Sequence, residues 1–142
     1  MKLKTFDLSN SKTAIQREAL IRVSRSAGLI SFSASVMDKL KLSEGTKIVF
    51  VQDEESPIDW YIKKSNDENA FPIRILETGR GDLNSTHIVN RILASIENGR
   101  EKYNSVSFRL QTNPVKIEGE QYYLIITSKP LNVTDKVEKK TN

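Results

Sequence analysis

The chain carries the same succession of secondary-structure signals twice, and this repetition limits the folds it can adopt. In the first copy, residues 20–23 and 29–32 are rich in apolar and β-branched side chains and flank Gly28, a pattern typical of a hairpin. Ser33 is placed to cap a short helix, and Gly45 is placed to reverse the chain after that helix. Two further strands are predicted at residues 48–51 and 59–63.

The second copy repeats this order after a polar linker. Its predicted elements are a strand at 73–76, a glycine-rich turn at 78–81, a helix capped by Ser85 and stopped by Asn98-Gly99, and strands at 106–110, 115–117 and 121–127. A constant offset of 52 positions places Arg22 on Arg74 and Ser33 on Ser85, although such patterns also recur by chance. Because strand edges must be paired or covered, the sequence predicts one mainly β domain with two short helices, a pseudo-twofold β-barrel built from two ββαββ repeats.

The polar and basic ends of the chain are predicted to lie outside this barrel. The predicted segments are an N-terminal arm (1–19), a first ββαββ repeat (20–64), a linker (65–71), a second ββαββ repeat (72–128) and a flexible C-terminal tail (129–142), with Pro130 ending the ordered part. The tail holds four lysines against two acidic residues, which is half of the formal net charge of +4. This basic excess permits a nucleic-acid partner without requiring one.

Composition excludes several classes of function. The chain has no cysteine and a single histidine, His87, so disulfides, thiolate nucleophiles and cysteine or histidine zinc clusters are not expected. The sequence has neither a phosphate-binding loop nor a nucleophile elbow. We therefore predict a non-enzymatic protein without catalytic residues, metal or cofactor. No apolar run approaches the roughly 20 residues that span a bilayer and no apolar stretch follows the basic start, so a cytoplasmic protein without a membrane partner is expected.

The first copy resembles the AbrB-like swapped-hairpin family of DNA-binding proteins. The residues that carry this resemblance are Arg22-Val23, the turn to Gly28, and the segments 29–33, 36–45 and 47–50. The resemblance covers about residues 20–63, and a weaker resemblance covers residues 72–127. In carrying two copies in one chain, the protein is similar to the MraZ-like tandem members of the family. The chain departs from the family at Ser33, where proline is usual, and at Asp38-Lys39, where the family helix carries arginines.

The resemblance implies that arginines on the hairpins contact double-stranded DNA. The matching positions are Arg22, Arg25, Arg74 and Arg80, and a guanidinium suits this role because its planar fork can bond phosphate or guanine. Secondary candidates for the DNA backbone are Lys39, Lys41, Lys47 and Arg91. The alternative is that all eight are solvated surface charges. The acidic turn at 53–55 would repel DNA, so DNA is expected to bind elsewhere.

Aromatic pairs mark the last strand of each copy. Alternation along a strand places one ring of Trp60-Tyr61, and one of Tyr122-Tyr123, inside the barrel and leaves its neighbour outside. Two functions remain open. The first is a DNA-binding regulatory or accessory protein that uses the arginine-bearing hairpins. The second is a protein-interaction or assembly module that keeps the barrel without binding DNA, and the sequence leaves open whether the chain forms a homo-oligomer.

Overall fold

A computed structural model describes residues 1–3, 18–97 and 102–135, and in this part the chain is mainly β with two helices. The strands are β1 (Leu20–Ser24), β2 (Leu29–Phe32), β3 (Lys47–Asp53), β4 (Ser56–Lys64), β5 (Phe71–Pro72), β6 (Arg74–Ile75), β7 (Gly81–Asn84), β8 (Tyr103–Leu110), β9 (Val115–Ile117) and β10 (Glu120–Asp135). The helices are α1 (Ala34–Lys39) and α2 (Thr86–Glu97). The prediction of a mainly β fold with two helices is confirmed.

The strands form a nearly closed antiparallel barrel. Their order is β5-β3-β4-β10-β8-β1-β2-β7-β6, and β9 pairs with β10 beside this path. The two ends of the path, β5 and β6, are separated in the chain by Ile73 alone. One segment therefore pairs with β3 at its start and with β7 at its end. This arrangement covers the two sheet edges that an open sheet would leave unpaired.

Alternation along the strands fills the barrel with apolar side chains. The inward-facing residues are fully or almost fully buried: Ile21, Val23, Ile30, Phe32, Ile48, Trp60, Ile62, Val106, Phe108, Tyr123 and Ile125. A barrel of this strand number is narrow enough for side chains to fill, and each buried Ile or Phe contributes about 1.5–3 kcal/mol. The indole N–H of Trp60 donates to the Ser95 Oγ at 3.0 Å, so the largest inward ring keeps a polar partner.

Both helices begin at the predicted caps. The Ser33 Oγ accepts from the backbone N–H of Val36 at 3.4 Å and from that of Leu20 at 3.0 Å, which ties the start of α1 to β1. The Ser85 Oγ accepts from the backbone N–H of Ile88 at 3.2 Å. These contacts confirm both cap predictions, whereas the stop predicted at residues 98–99 lies outside the described residues.

Two glycines allow the hairpins to approach the helices closely. Gly28 has φ +60°, and a Cβ there would lie 2.6 Å from the Thr86 Oγ1 of α2. A Cβ on Gly81 would lie 2.7 Å from the Met37 Sδ of α1 and 2.9 Å from the Ile73 Cγ2. Gly28 is therefore favoured both by its turn and by its contact with α2, whereas Gly81, which has no positive φ, is favoured by close packing alone.

The last strand is longer than the sequence predicts. β10 continues through Pro130 to Asp135, so the expectation that ordered structure ends at Pro130, within a flexible tail that starts at 129, is wrong for residues 131–135. The physical reason is that the pairing with β8 shifts register between Ile126 and Leu131. Proline is tolerated at such an irregularity because no ladder bond requires its missing N–H.

Candidate nucleic-acid interface

The outer face of β1, β2, β7 and β6 carries a row of polar side chains, which we call the arginine row. Its members are Arg22, Ser31, Asp82 and Arg74. The register pairs Arg22 with Ser31, Ser31 with Asp82, and Asp82 with Arg74. Residues directly opposite one another in neighbouring strands lie on the same face of a sheet, and the buried neighbours Ile21 and Val23 occupy the inner face. Arg22 and Arg74 are three strands apart, or about 14 Å at the usual spacing between strands.

Neutral groups alone hold the Arg22 guanidinium. Nη1 donates to the Ser107 Oγ at 2.8 Å and to the Asn132 carbonyl oxygen at 3.3 Å, and Nη2 donates to the Ser105 Oγ at 2.5 Å. Among the residues that the structure describes, no carboxylate lies within ion-pairing distance of it. Since a guanidinium has five N–H groups, Nε and one Nη2 hydrogen remain available. Arg22 is therefore a positioned positive charge that no carboxylate compensates within the described part of the chain.

Arg25 is committed to internal contacts at the end of the β1–β2 hairpin. It forms an ion pair with Glu97 of α2, whose side chain is almost fully buried. Its Nε donates to the Tyr103 carbonyl oxygen at 3.0 Å, and its Nη1 donates to the Asn90 Oδ1 at 3.4 Å. The same Glu97 carboxylate accepts from the Tyr103 backbone N–H at 2.8 Å. Arg25 thus ties the hairpin to α2 and β8, and its charge is compensated.

Arg74 makes a two-pronged ion pair with Asp82 in the adjacent strand. Nε and Nη2 each lie 2.8 Å from one carboxylate oxygen, and the hydrogen bonds to Asp82 raise the pKa of Arg74. The Arg74 side chain is 64% exposed, whereas that of Asp82 is 7% exposed. The charge of Arg74 is therefore compensated by the more buried Asp82, while the N–H groups of Arg74 that do not contact Asp82 face solvent.

Arg80 lies in the turn between β6 and β7. The turn is closed by backbone bonds from the Leu76 N–H to the Arg80 carbonyl at 2.8 Å and from the Gly79 N–H to the Leu76 carbonyl at 2.9 Å. The Arg80 residue is exposed, and its side chain forms no ion pair in the described part of the chain. Arg80 is thus a second arginine without a carboxylate partner among the described residues, and it lies in the turn that adjoins this face.

The secondary candidates do not join the arginine row. Lys39 ends α1, and Lys41 follows that helix with φ +54°. The Lys47 Nζ donates to the Asp67 carbonyl oxygen at 3.4 Å, and Arg91 of α2 donates to the Gln52 Oε1 at 3.4 Å. None of these four residues belongs to β1, β2, β6 or β7 or to the β1–β2 and β6–β7 turns, so they would contact a ligand of the arginine row only if it extended beyond that face.

The groups that position Arg22 were not among the residues predicted from the sequence. Ser105 and Ser107 lie on the outer side of β8, yet they are only 6% and 4% exposed. The alternation of buried Val106 and Phe108 in β8 could have placed both serines on the outer face. No local signal indicates that β8 pairs with β1, which brings their hydroxyls to Arg22.

A second surface, on the outer side of β3, β4, β9 and β10, is mostly apolar. Trp60 and Tyr123 face inward and are buried, while Tyr61 and Tyr122 face outward, which confirms the predicted alternation. The outward rings meet edge to face with centroids 6.2 Å apart. We call this surface the apolar outer face, and its members are Val49, Val51, Tyr61, Val115, Ile117, Tyr122, Leu124 and Ile126.

The ion pair between Lys63 and Glu120 borders the apolar outer face. Lys63 pairs with Glu120 and lies 5.6 Å from the centroid of the Tyr122 ring. The hydrogen bond to Glu120 raises the pKa of Lys63. With its charge compensated, Lys63 adds little positive potential to this side of the barrel.

Within the described ranges, neither helix is long and apolar enough to cross a membrane. Comparison of the chain with protein-family models, with curated proteins and with solved structures finds no match in any of the three.

Proposed function

We propose that this protein binds double-stranded DNA through the phosphate backbone, using the outer face of β1, β2, β7 and β6. Arg22 is the central contact in this proposal, with Arg80 and the outer N–H groups of Arg74 as further contacts. The observation that supports it best is the environment of Arg22, which is positioned by the hydroxyls of Ser105 and Ser107 and has no carboxylate partner among the described residues. A cation fixed in this way loses little side-chain entropy when a phosphate arrives.

The proposed contacts differ in their contribution. Arg22 and Arg80 bring charges that have no carboxylate partner among the residues described, whereas the charge of Arg74 is largely offset by Asp82. Arg25 is not one of the proposed contacts, because its ion pair with Glu97 ties the β1–β2 hairpin to α2. Because each phosphate contact contributes about 0.9 to the slope of log K against log salt, two or three contacts favour modest, salt-sensitive and sequence-tolerant binding.

We also propose that the barrel is a pseudo-twofold pair of ββαββ units of the AbrB-like swapped-hairpin kind. The first unit is β1–β4 with α1, and the second is β5/β6, β7, β8 and β10 with α2. The strand order supports this, because the first strand of each unit pairs with the third strand of the other. The second strands pair with each other, and so do the fourth strands. Exchanging the two units leaves this pattern unchanged.

Fluorescence anisotropy with a labelled duplex at about 50 mM salt tests the proposed function, because phosphate contacts strengthen as salt falls. We expect Arg22→Ala to weaken binding about tenfold, since charge-assisted hydrogen bonds contribute about 1.5–3 kcal/mol each. Lys39→Ala is the matched control, because it removes one exposed positive charge outside the arginine row. Equal losses in both variants, or no binding by the unmodified protein, would contradict the proposal.

The apolar outer face favours a second candidate, a protein-interaction or assembly module. Its eight apolar or aromatic residues are each partly exposed, across four strands, and contiguous exposed apolar surface often marks an interaction site. Leu124→Glu places a charge within this face and should abolish self-association in sedimentation experiments if the face joins two copies. A monomeric unmodified protein that binds DNA would leave only the first candidate.

A further inference from the structure

The last five described residues, Leu131–Asp135, lie beside the arginine row, and we call them the strap. The strap pairs with β8 through Leu131 and Ser107, and through Thr134 and Ser105. The Thr134 Oγ1 accepts from the Ser105 backbone N–H at 3.1 Å and lies 2.7 Å from the Ser105 Oγ. The strap is thus bonded to one of the two serines that position Arg22.

The strap also bonds Arg22 directly. The Asn132 carbonyl oxygen accepts from the Arg22 Nη1 at 3.3 Å, so a backbone carbonyl occupies an N–H that a phosphate oxygen would otherwise use. Ser105 and Ser107 face outward and are nonetheless buried, which fits a cover over this end of the row.

The strap is held less firmly than the rest of β10. Its pairing with β8 shifts register at three places between Ile126 and Asp135, and Asn132 has φ +46°. Residues 132–134 are exposed, and Val133 retains 40% exposure. A segment with few buried apolar contacts and irregular pairing opens at a lower free energy than the core strands.

We propose that the strap is an autoinhibitory cover that competes with DNA phosphate for the guanidinium of Arg22. The inference rests on the proposed function, because it concerns the regulation of the same surface. When the strap lifts from β8, the Nη1 group bonded to Asn132 becomes available, and the positive charge of Arg22 becomes more exposed. Binding of duplex DNA and docking of the strap then oppose each other.

The absence of cysteine from the chain provides a direct test in the whole 142-residue chain. The variant Leu131→Cys with Ser107→Cys places two thiols on directly opposed residues of an antiparallel pair. Paired residues of a regular antiparallel ladder have Cα atoms about 4.5–5.5 Å apart, within the range that a disulfide requires. Because the register shifts on both sides of this pair, formation of the disulfide is first verified by titration of free thiols. The oxidised form holds the strap closed and the reduced form leaves it free to lift. Both forms lack the Ser107 hydroxyl that Arg22 uses in the unmodified protein and have the same net charge, so they are compared with each other and not with the unmodified protein.

Anisotropy with a labelled duplex should show binding about threefold to tenfold weaker in the oxidised form, which is the effect of one withheld hydrogen bond. Adding Arg22→Ala should remove the difference between the two forms. Thr134→Val, which keeps the strap but loses its bonds to Ser105, should bind more tightly than the unmodified protein. This second variant keeps the test valid if the disulfide does not form.

The outcomes separate the two proposals. The strap proposal fails and the proposed function stands if the unmodified protein binds DNA while the oxidised and reduced forms bind it with equal affinity. The same conclusion follows if the affinity difference between the two forms is as large with Arg22→Ala as without it. If neither the unmodified protein nor the Thr134→Val variant binds duplex DNA at about 50 mM salt, both proposals fail.

Discussion

Replacing Arg25 with alanine should destabilise the fold without removing a DNA contact. The substitution leaves the buried carboxylate of Glu97 with the Tyr103 backbone N–H as its remaining partner among those described. It also removes the donor that serves the Tyr103 carbonyl oxygen at 3.0 Å. Arg25→Ala therefore tests whether this arginine is structural, which is the opposite of the role that the family resemblance implies.

The expected size follows from the burial of the pair. The side chains of Arg25 and Glu97 are 21% and 6% exposed, so the carboxylate is nearly inaccessible to water once its partner is lost. Removing one member of a buried ion pair costs about 3–5 kcal/mol. For a chain of this length, that corresponds to a fall in Tm of about 10–15 °C.

Thermal and urea unfolding followed by the fluorescence of Trp60 provide the assay, because this is the one tryptophan of the chain. Arg80→Ala is the control, since substitutions of exposed residues usually change stability by less than about 0.5 kcal/mol. Well below its Tm, the Arg25→Ala protein should bind duplex DNA as the unmodified protein does. A Tm within about 2 °C of the unmodified value together with weakened DNA binding would refute the reasoning.

Three further substitutions test the packing and the charge balance of the barrel. Gly81→Ala should lower stability by about 1–3 kcal/mol in urea unfolding, because the new Cβ would lie 2.9 Å from the Cγ2 of the buried, β-branched Ile73. Unchanged stability would contradict this close approach. Ser95→Ala should cost about 1–3 kcal/mol by leaving the indole N–H of Trp60 without its acceptor, and an unaltered thermal midpoint would count against that bond. Asp82→Asn should tighten DNA binding about threefold, the effect of roughly one net hydrogen bond, and should lower the Tm. Weaker binding by the folded variant would argue against a phosphate contact at Arg74, the partner of Asp82.

Local signals predicted the local structure well. Ser33 and Ser85 act as helix caps, and Gly28 and Gly45 take the positive φ that their turns need. Alternation correctly separated inward from outward aromatic rings. These features depend on neighbours within a few residues, so the sequence contains the information that determines them.

Pairing between distant strands is what the sequence could not predict. Closure of the barrel depends on Ile73, whose flanking residues pair with two different strands, and no local pattern specifies that register. The same limit applies to the candidate site. From the sequence, the same role was predicted for Arg22, Arg25, Arg74 and Arg80. In the structure, Arg25 and Arg74 differ from the other two because Glu97 and Asp82, which belong to other elements, form ion pairs with them.

The continuation of β10 beyond Pro130 could not be predicted from the sequence for a different reason. Proline normally marks the end of a strand, and the segment after it has few apolar residues. The chain continues as β10 because an irregular pairing accommodates the proline and because Ser105 and Arg22 provide partners for Thr134 and Asn132. These partners lie about 30 and 110 positions away in the sequence, beyond the reach of any local pattern.

The salt dependence of duplex binding tests the central claim most directly. Anisotropy titrations from about 50 to 200 mM salt should give a linear plot of log K against log salt with a slope of about −2 to −3 for the unmodified protein. The Arg22→Ala, Arg80→Ala double variant should lose about two units of that slope. Absence of binding at the lowest salt, or the same slope in both proteins, would contradict the account.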